Sequence, residues 1–171
     1  MYLSHFTSPV GRLTLASDGE NLCGLWMEGQ KYYASGLKET EMRENLPLFA
    51  NVKNWLERYF SGERPKIGEL PLAPAGSEFR QKVWEILCNI PYGETTTYGK
   101  IAETLAKTLR LSHMSAQAVG GAVGHNPISI FIPCHRVVGT NGSLTGYAGG
   151  IDKKLWLLRH EGAKIPAPSA R

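Results

Sequence analysis

The segment Ile132-Pro133-Cys134-His135-Arg136-Val137 lies in an unusual setting, because between Leu111 and Ile151 the only formal charge is Arg136. A thiol thus sits among Pro, His and Arg in an otherwise neutral stretch. A nearby cation or imidazole lowers a thiol's pKa and raises its thiolate fraction. Neighbouring residues on a strand face opposite sides. Cys134 and His135 therefore cooperate only where the chain turns, and Pro133 restricts the backbone toward such a turn. The dipeptide alone is a weak signal, and a buried structural cysteine is the more common reading of it. No second Cys or His lies at metal-ligand spacing, so no metal is expected. The three cysteines, at 23, 88 and 134, form no C-x-x-C pair and imply no disulfide framework. A cysteine hydrolase would need a His and a third group elsewhere, and no such local signature appears.

The sequence around this segment reads as two parts. Its 171 residues can bury a real core, and 42% hydrophobic with 20% charged residues excludes a disordered chain or a coiled coil. Residues 1–76 carry 8 Lys+Arg against 9 Asp+Glu, and residues 77–171 carry 11 against 6. The basic second part is the place to look for an anionic partner, although an ordinary basic surface reads the same way. The start of the chain shows no secretory pattern. The uncharged run Leu111–His135 holds His113, Gln117, His125, Asn126 and two Pro, which excludes a membrane span. A reduced, cytoplasmic protein is expected.

Residues 1–60 read as short strands near 2–7, 12–17 and 22–28 in an antiparallel meander. A helix follows, with Leu48, Val52, Trp55, Leu56, Tyr59 and Phe60 on one face. Residues 61–76 hold three prolines and read as a linker. Beyond it, Ser77 caps a helix carrying Phe79, Val83, Trp84 and Leu87. Another helix starts near Thr97 and carries Tyr98, Ile101, Ala102 and Leu105. A third runs from about Ser115 to Gly124. The last starts at Asp152 as N-cap, carries Leu155, Trp156 and Leu158, and stops at Gly162. Two helices joined by a connection in the basic part suggest a helix-turn-helix. The third helix is nearly bare of side-chain bulk, and each interior Gly costs it about 1 kcal/mol relative to Ala. Close packing on another helix, or entry into a nucleic-acid groove, would account for that.

Taken together, Asn126-Pro127-Ile128, Ile132-Pro133-Cys134-His135-Arg136-Val137-Val138-Gly139, Gly146-Tyr147-Ala148-Gly149-Gly150 and Trp156-Leu157-Leu158 with His160-Glu161-Gly162 resemble the O6-alkylguanine-DNA alkyltransferases, the methylated-DNA–protein-cysteine S-methyltransferases. The resemblance is close over about residues 78–162, and rests on size and coarse pattern before that. It implies an α/β (α+β) fold: a small ribonuclease-H-like β/α N-terminal domain over residues 1–76, and a helical C-terminal domain over 77–165 with a helix-turn-helix. Residues 166–171 are expected to be a frayed tail. It also implies a monomer without cofactor that docks in the minor groove of double-stranded DNA and flips the alkylated guanine toward the reactive cysteine.

Site roles implied by the resemblance fall on particular positions. Cys134 corresponds to the methyl acceptor, His135 to the base that deprotonates it through a water, and Glu161 to the carboxylate that orients His135. Asn126 corresponds to the hinge at the active-site turn. Tyr98 corresponds to the hydrogen-bond donor to the guanine ring. Tyr147 and Ala148 form the pocket wall and an N–H donor to O6. Ser115, Ala116, Gln117 and Gly120 lie on the DNA-facing helix. Without that frame, Glu161 is an end-of-helix carboxylate, Asn126 a loop residue and Tyr98 a core aromatic. The sequence departs from the family pattern twice. Gln117 stands where an inserted Arg is usual, and Tyr98 and Gln117 are 19 apart, with the excess around Ala106–Met114. The activity implied is irreversible transfer of methyl from O6-methylguanine, and also O4-methylthymine, to Cys134. A non-enzymatic lesion sensor would lack the cysteine. A transcriptional regulator would carry bulkier polar groups on its recognition helix and a dimer interface.

Overall fold

A computed structural model describes residues 1–144 and 146–165. The chain divides into two compact units, Met1–Ala75 with Pro127–Phe131, and Gly76–Asn126 with Ile132 onward. Pro127–Phe131 thus depart from the expected domain limits, because these five residues are built into the first unit. Leu25 N–H donates to Pro127 O, and Ser129 N–H donates to Leu25 O.

In the first unit, β1 (Tyr2–Ser8), β2 (Gly11–Ser17) and β3 (Leu22–Met27) form the expected antiparallel meander. A two-residue β4 (Glu41–Met42) joins β1 in parallel, giving the order β3-β2-β1-β4. No alternation marked β4 in the sequence, since two residues carry no period. Helix α1 (Pro47–Phe60) starts with Pro in its first turn and buries Leu48, Phe49, Val52, Trp55, Leu56 and Tyr59. The Trp55 ring lies 4.1 Å from Phe131, and its indole N–H donates to Lys66 O. The segment expected as a free linker is partly ordered. Leu22 and Pro71–Ala73 exchange backbone hydrogen bonds, so the segment lines the β3 edge.

In the second unit, α2 (Glu78–Cys88), α3 (Tyr98–Thr108) and α4 (Ala116–Gly124) are capped by the hydroxyls of Ser77, Thr97 and Ser115. The three helices pack on one another through Val83, Trp84, Leu87, Ile101, Ala102, Leu105, Val119, Ala122 and Val123. The Trp84 N–H donates to Ala122 O. Parallel pairing of β5 (Thr96–Thr97) with β6 (Val137–Val138) fixes the start of α3 beside the turn that follows Pro133. Helix α5 (Ile151–His160) closes the unit, and Gly162 at φ 72 ends it as expected. Its N-cap is Gly150, at φ 103, and not Asp152. That backbone turn needs a residue without Cβ, so the helix begins two residues earlier. Asp152 then lies in the first turn, where a carboxylate complements the helix dipole.

At Gly24 on β3, an added methyl would fall inside the buried Trp26 indole. Gly24→Ala is expected to destabilise the first unit by about 1–3 kcal/mol, read as a lower thermal midpoint with loss of near-ultraviolet aromatic dichroism.

Candidate active site

Pro133 turns the chain into a single 3-10 turn, Cys134–Arg136, and all three side chains are buried. This bend lets adjacent residues serve one site. His135 Nε2 lies 2.8 Å from Glu161 Oε2. Arg136 grips the same carboxylate twice, Nε to Oε1 at 2.7 Å and Nη2 to Oε2 at 3.0 Å, and donates Nη1 to Ile90 O at 2.7 Å. The guanidinium also lies over the Tyr92 ring. With Nε2 donating to the carboxylate, His135 Nδ1 is the ring's acceptor, and it has no protein partner among the described residues.

Asn126 is buried where the chain leaves the second unit. Its Nδ2 donates to Ile132 O at 2.7 Å, clasping the two ends of the five-residue excursion and steering the chain into the Cys134 turn. Asn126 and Tyr147 both act on the Cys134 thiol in the sense that favours thiolate. Tyr98, half-buried at the first position of α3, is influenced by Cys134. A methyl on Gly120 would touch its ring, and one on Gly146 would come 3.8 Å from its hydroxyl oxygen. Tyr98, Gly120, Asn126, Cys134, His135, Tyr147 and Glu161 therefore converge. Gln117 and Ala116 are exposed in the first turn of α4, while the Ser115 hydroxyl is engaged as that helix's cap. Ala148 is half-buried in the turn before α5.

Two residues escaped the sequence reading. Arg136 was read only as a cation near the thiol, whereas it is committed to Glu161. Lys154 was not singled out at all. It is fully buried on α5, its Nζ lies 5.9 Å from the Tyr147 ring centre, and its charge favours a Cys134 thiolate. Burial lowers its pKa to about 8, against the attraction of Cys134. The signal was legible: Lys154 shares a helical face with Leu157 and Leu158, where an apolar residue is the norm.

The electrostatics correct one expectation. Burial raises the Cys134 pKa and outweighs Asn126, Lys154 and Tyr147, so the resting group is a thiol. Burial likewise lowers His135, against the pull of Glu161 and with the push of Arg136 and Lys154, leaving a neutral imidazole. Burial alone would raise Glu161, but His135 and Arg136 hold it well below the usual carboxylate range. A neutral base, oriented by an ionised carboxylate beside a protected thiol, is equipped for nucleophilic transfer coupled to proton removal.

Residues 78–163 match the 6-O-methylguanine DNA methyltransferase DNA-binding domain, and residues 1–74 match that enzyme's ribonuclease-like domain. The chain belongs to the methylated-DNA–protein-cysteine methyltransferase family. It is 43% identical to the Haemophilus influenzae methylated-DNA–protein-cysteine methyltransferase over 97% of this chain and 88% of that one. For the Methanosarcina acetivorans protein of the same name the figures are 44%, 95% and 99%. A crystal structure of Mycobacterium tuberculosis OGT in complex with DNA aligns at a TM-score of 0.83 and 40% identity, covering 98% and 96% of the two chains. No helix among the described residues is long and apolar enough to cross a membrane.

The buried groups carry a pH signature. Both folded pKa values lie below the ordinary 6.5 of His and 4.5 of Glu. The unfolded chain therefore binds these protons first, and acid favours unfolding. Stability is expected to fall as pH drops below 6.5 through His135, and again below 4.5 through Glu161. Glu161→Gln should cost about 3–5 kcal/mol at neutral pH, because Arg136 then stays buried without a counter-charge. It should also flatten the lower limb. Chemical denaturation across pH measures both.

Proposed function

We propose that this family member repairs DNA by direct reversal, moving the methyl group of O6-methylguanine in a duplex onto its own Cys134. The observation that carries the reading is the buried Cys134-His135 turn with His135 Nε2 on Glu161 and Nδ1 left to accept a proton. The thiol proton passes to Nδ1 through a bridging water. The sulfur then attacks the methyl carbon in line as the C–O6 bond breaks. The electron pair of that bond remains on the guanine, which is reprotonated to guanine, and Cys134 becomes S-methylcysteine. Tyr98 donates a hydrogen bond to the ring as charge develops, and the Ala148 N–H serves O6. O4-methylthymine presents the same aryl-ether-like carbon and is the second substrate of this reading.

The lesion must leave the stack to meet a buried thiol, so base flipping is part of the proposal. The exposed face of α4 supports minor-groove docking: Ser115, Ala116, Gln117, Ala118 and Gly121 are exposed and small or uncharged. A thioether is not reversed by a second thiol, and Cys23 and Cys88 lie in β3 and α2. The protein acts once, as a monomer in the cytoplasm, where its three free cysteines are kept reduced.

Intact-mass measurement after incubation with excess O6-methylguanine duplex is expected to show one methyl per chain, mapping to Cys134. Transfer beyond one equivalent, or an adduct on Cys23 or Cys88, would overturn the reading.

Thiol activation is tested separately. Lys154→Met and Asn126→Ala should each raise the Cys134 pKa, read from thiolate absorbance, and slow transfer to the free base and the duplex alike. Gln117→Gly should slow the duplex reaction alone, because the free base needs no flipping.

A further inference from the structure

Helix α3 ends unlike two other helices of the same chain. After α1, Gly62 (φ 100) donates its N–H to Tyr59 O and Glu63 to Arg58 O. After α5, Gly162 (φ 72) donates to Arg159 O and Ala163 to Leu158 O. In this closing pattern one residue must be left-handed, and glycine takes that place without strain. After α3 the same pattern recurs, with Arg110 N–H to Lys107 O and Leu111 N–H to Ala106 O, but the left-handed residue is Arg110, at φ 56. At Arg110 a long cationic side chain thus stands on a backbone conformation that glycine takes without strain.

The surroundings identify what that cation meets. No Asp or Glu occurs between Glu103 and Asp152. Arg110 is exposed and makes no ion pair among the described residues. Helix α4 contains no charged residue, and Gln117 stands in its exposed first turn. Downstream, the next cation is Arg136, already spent on Glu161. Arg110 is therefore the solvent-facing cation nearest to α4 in sequence. It stands five residues before the Ser115 cap. Five residues span at most about 18 Å, roughly half of the ~34 Å helical turn of a duplex. Arg110 thus stays within about 18 Å of the start of α4, less than one helical turn of a duplex.

We propose that the lengthened α3–α4 connection is a second DNA contact, in which the Arg110 guanidinium binds a backbone phosphate beside the groove occupied by α4. It supplies the charge that α4 lacks. The proposal rests on the DNA-repair reading above and adds to it a sequence-independent clamp outside the lesion pocket.

The test is Arg110→Gly in the full chain, with three readouts. The first is equilibrium binding to lesion-free duplex over a range of salt concentrations. The second is the thermal midpoint. The third is single-turnover methyl transfer from free O6-methylguanine. Glycine relieves the backbone, so the midpoint should hold or rise. Affinity for duplex should fall several-fold at low salt, and the slope of log affinity against log salt should shrink by about 0.9, the loss of one phosphate contact. Transfer from the free base should be unchanged, and Arg110→Lys should keep most of the slope. Unchanged affinity and slope in a folded Arg110→Gly protein would overturn the proposal and reduce Arg110 to a charge serving the α3 dipole. Should the glycine variant fold poorly, Arg110→Asn, which also tolerates the left-handed backbone, gives the same reading. Failure of the wild-type chain to take methyl from the free base would instead overturn the repair reading.

Discussion

The buried carboxylate of Glu161 is the interaction on which the second unit turns. It takes hydrogen bonds from two consecutive residues, His135 and Arg136, and through Arg136 it reaches the Ile90 carbonyl. One side chain thus joins the end of α5, the Cys134 turn and the segment after α2. Burying these charges costs desolvation, and their hydrogen bonds offset it only while every member stays in place. The arrangement also decides a tautomer. A proton on Nε2 is required by the carboxylate, so Nδ1 is the nitrogen free to accept. Arg136 restrains the carboxylate's own basicity, which keeps the proton on the imidazole.

The same burial that makes this network expensive protects the thiol. Cys134 is raised by desolvation, whereas an exposed activated cysteine would carry a depressed pKa and meet oxidants freely. A reagent consumed in its only reaction gains from staying a thiol until its substrate arrives. Asn126, Tyr147 and Lys154 each favour the anion without prevailing. On the proposed function, the balance tips when a flipped base covers the site and leaves neutral His135 to take the proton. Reactivity is then conditional on the lesion.

Legibility in the sequence followed the range of the interactions. The meander, α1 and the capped helices α2, α3 and α4 were readable, because Ser77, Thr97 and Ser115 act within three residues and the apolar faces repeat locally. Asp152 misled, because a side-chain cap and a first-turn carboxylate look alike without the backbone angle at Gly150. The 127–131 excursion was invisible, since its strand-like contact with Leu25 joins positions about a hundred residues apart. Cys134, His135 and Glu161 came from a motif whose geometry the structure then supplied. Lys154 was missed although its register on α5 marked it, because a lysine is read as surface by default.

Helix α4 bears on what kind of DNA-binding protein this is. A methyl added at Gly121 or Gly124 would meet nothing, so tight helix packing does not explain their retention, and Gly120 faces the Tyr98 ring at ordinary contact distance. At those two positions no packing contact offsets the cost in helix stability, and the solvent side of the helix is left bare. That side offers one amide, Gln117, as a group able to read a base edge, whereas a regulator needs several such groups to tell sequences apart. A bare helix can follow a groove of any sequence. On the proposed function, discrimination then comes from what enters the pocket among Tyr98, Cys134 and Tyr147, where an alkyl group carried on a base oxygen is distinguished by reacting.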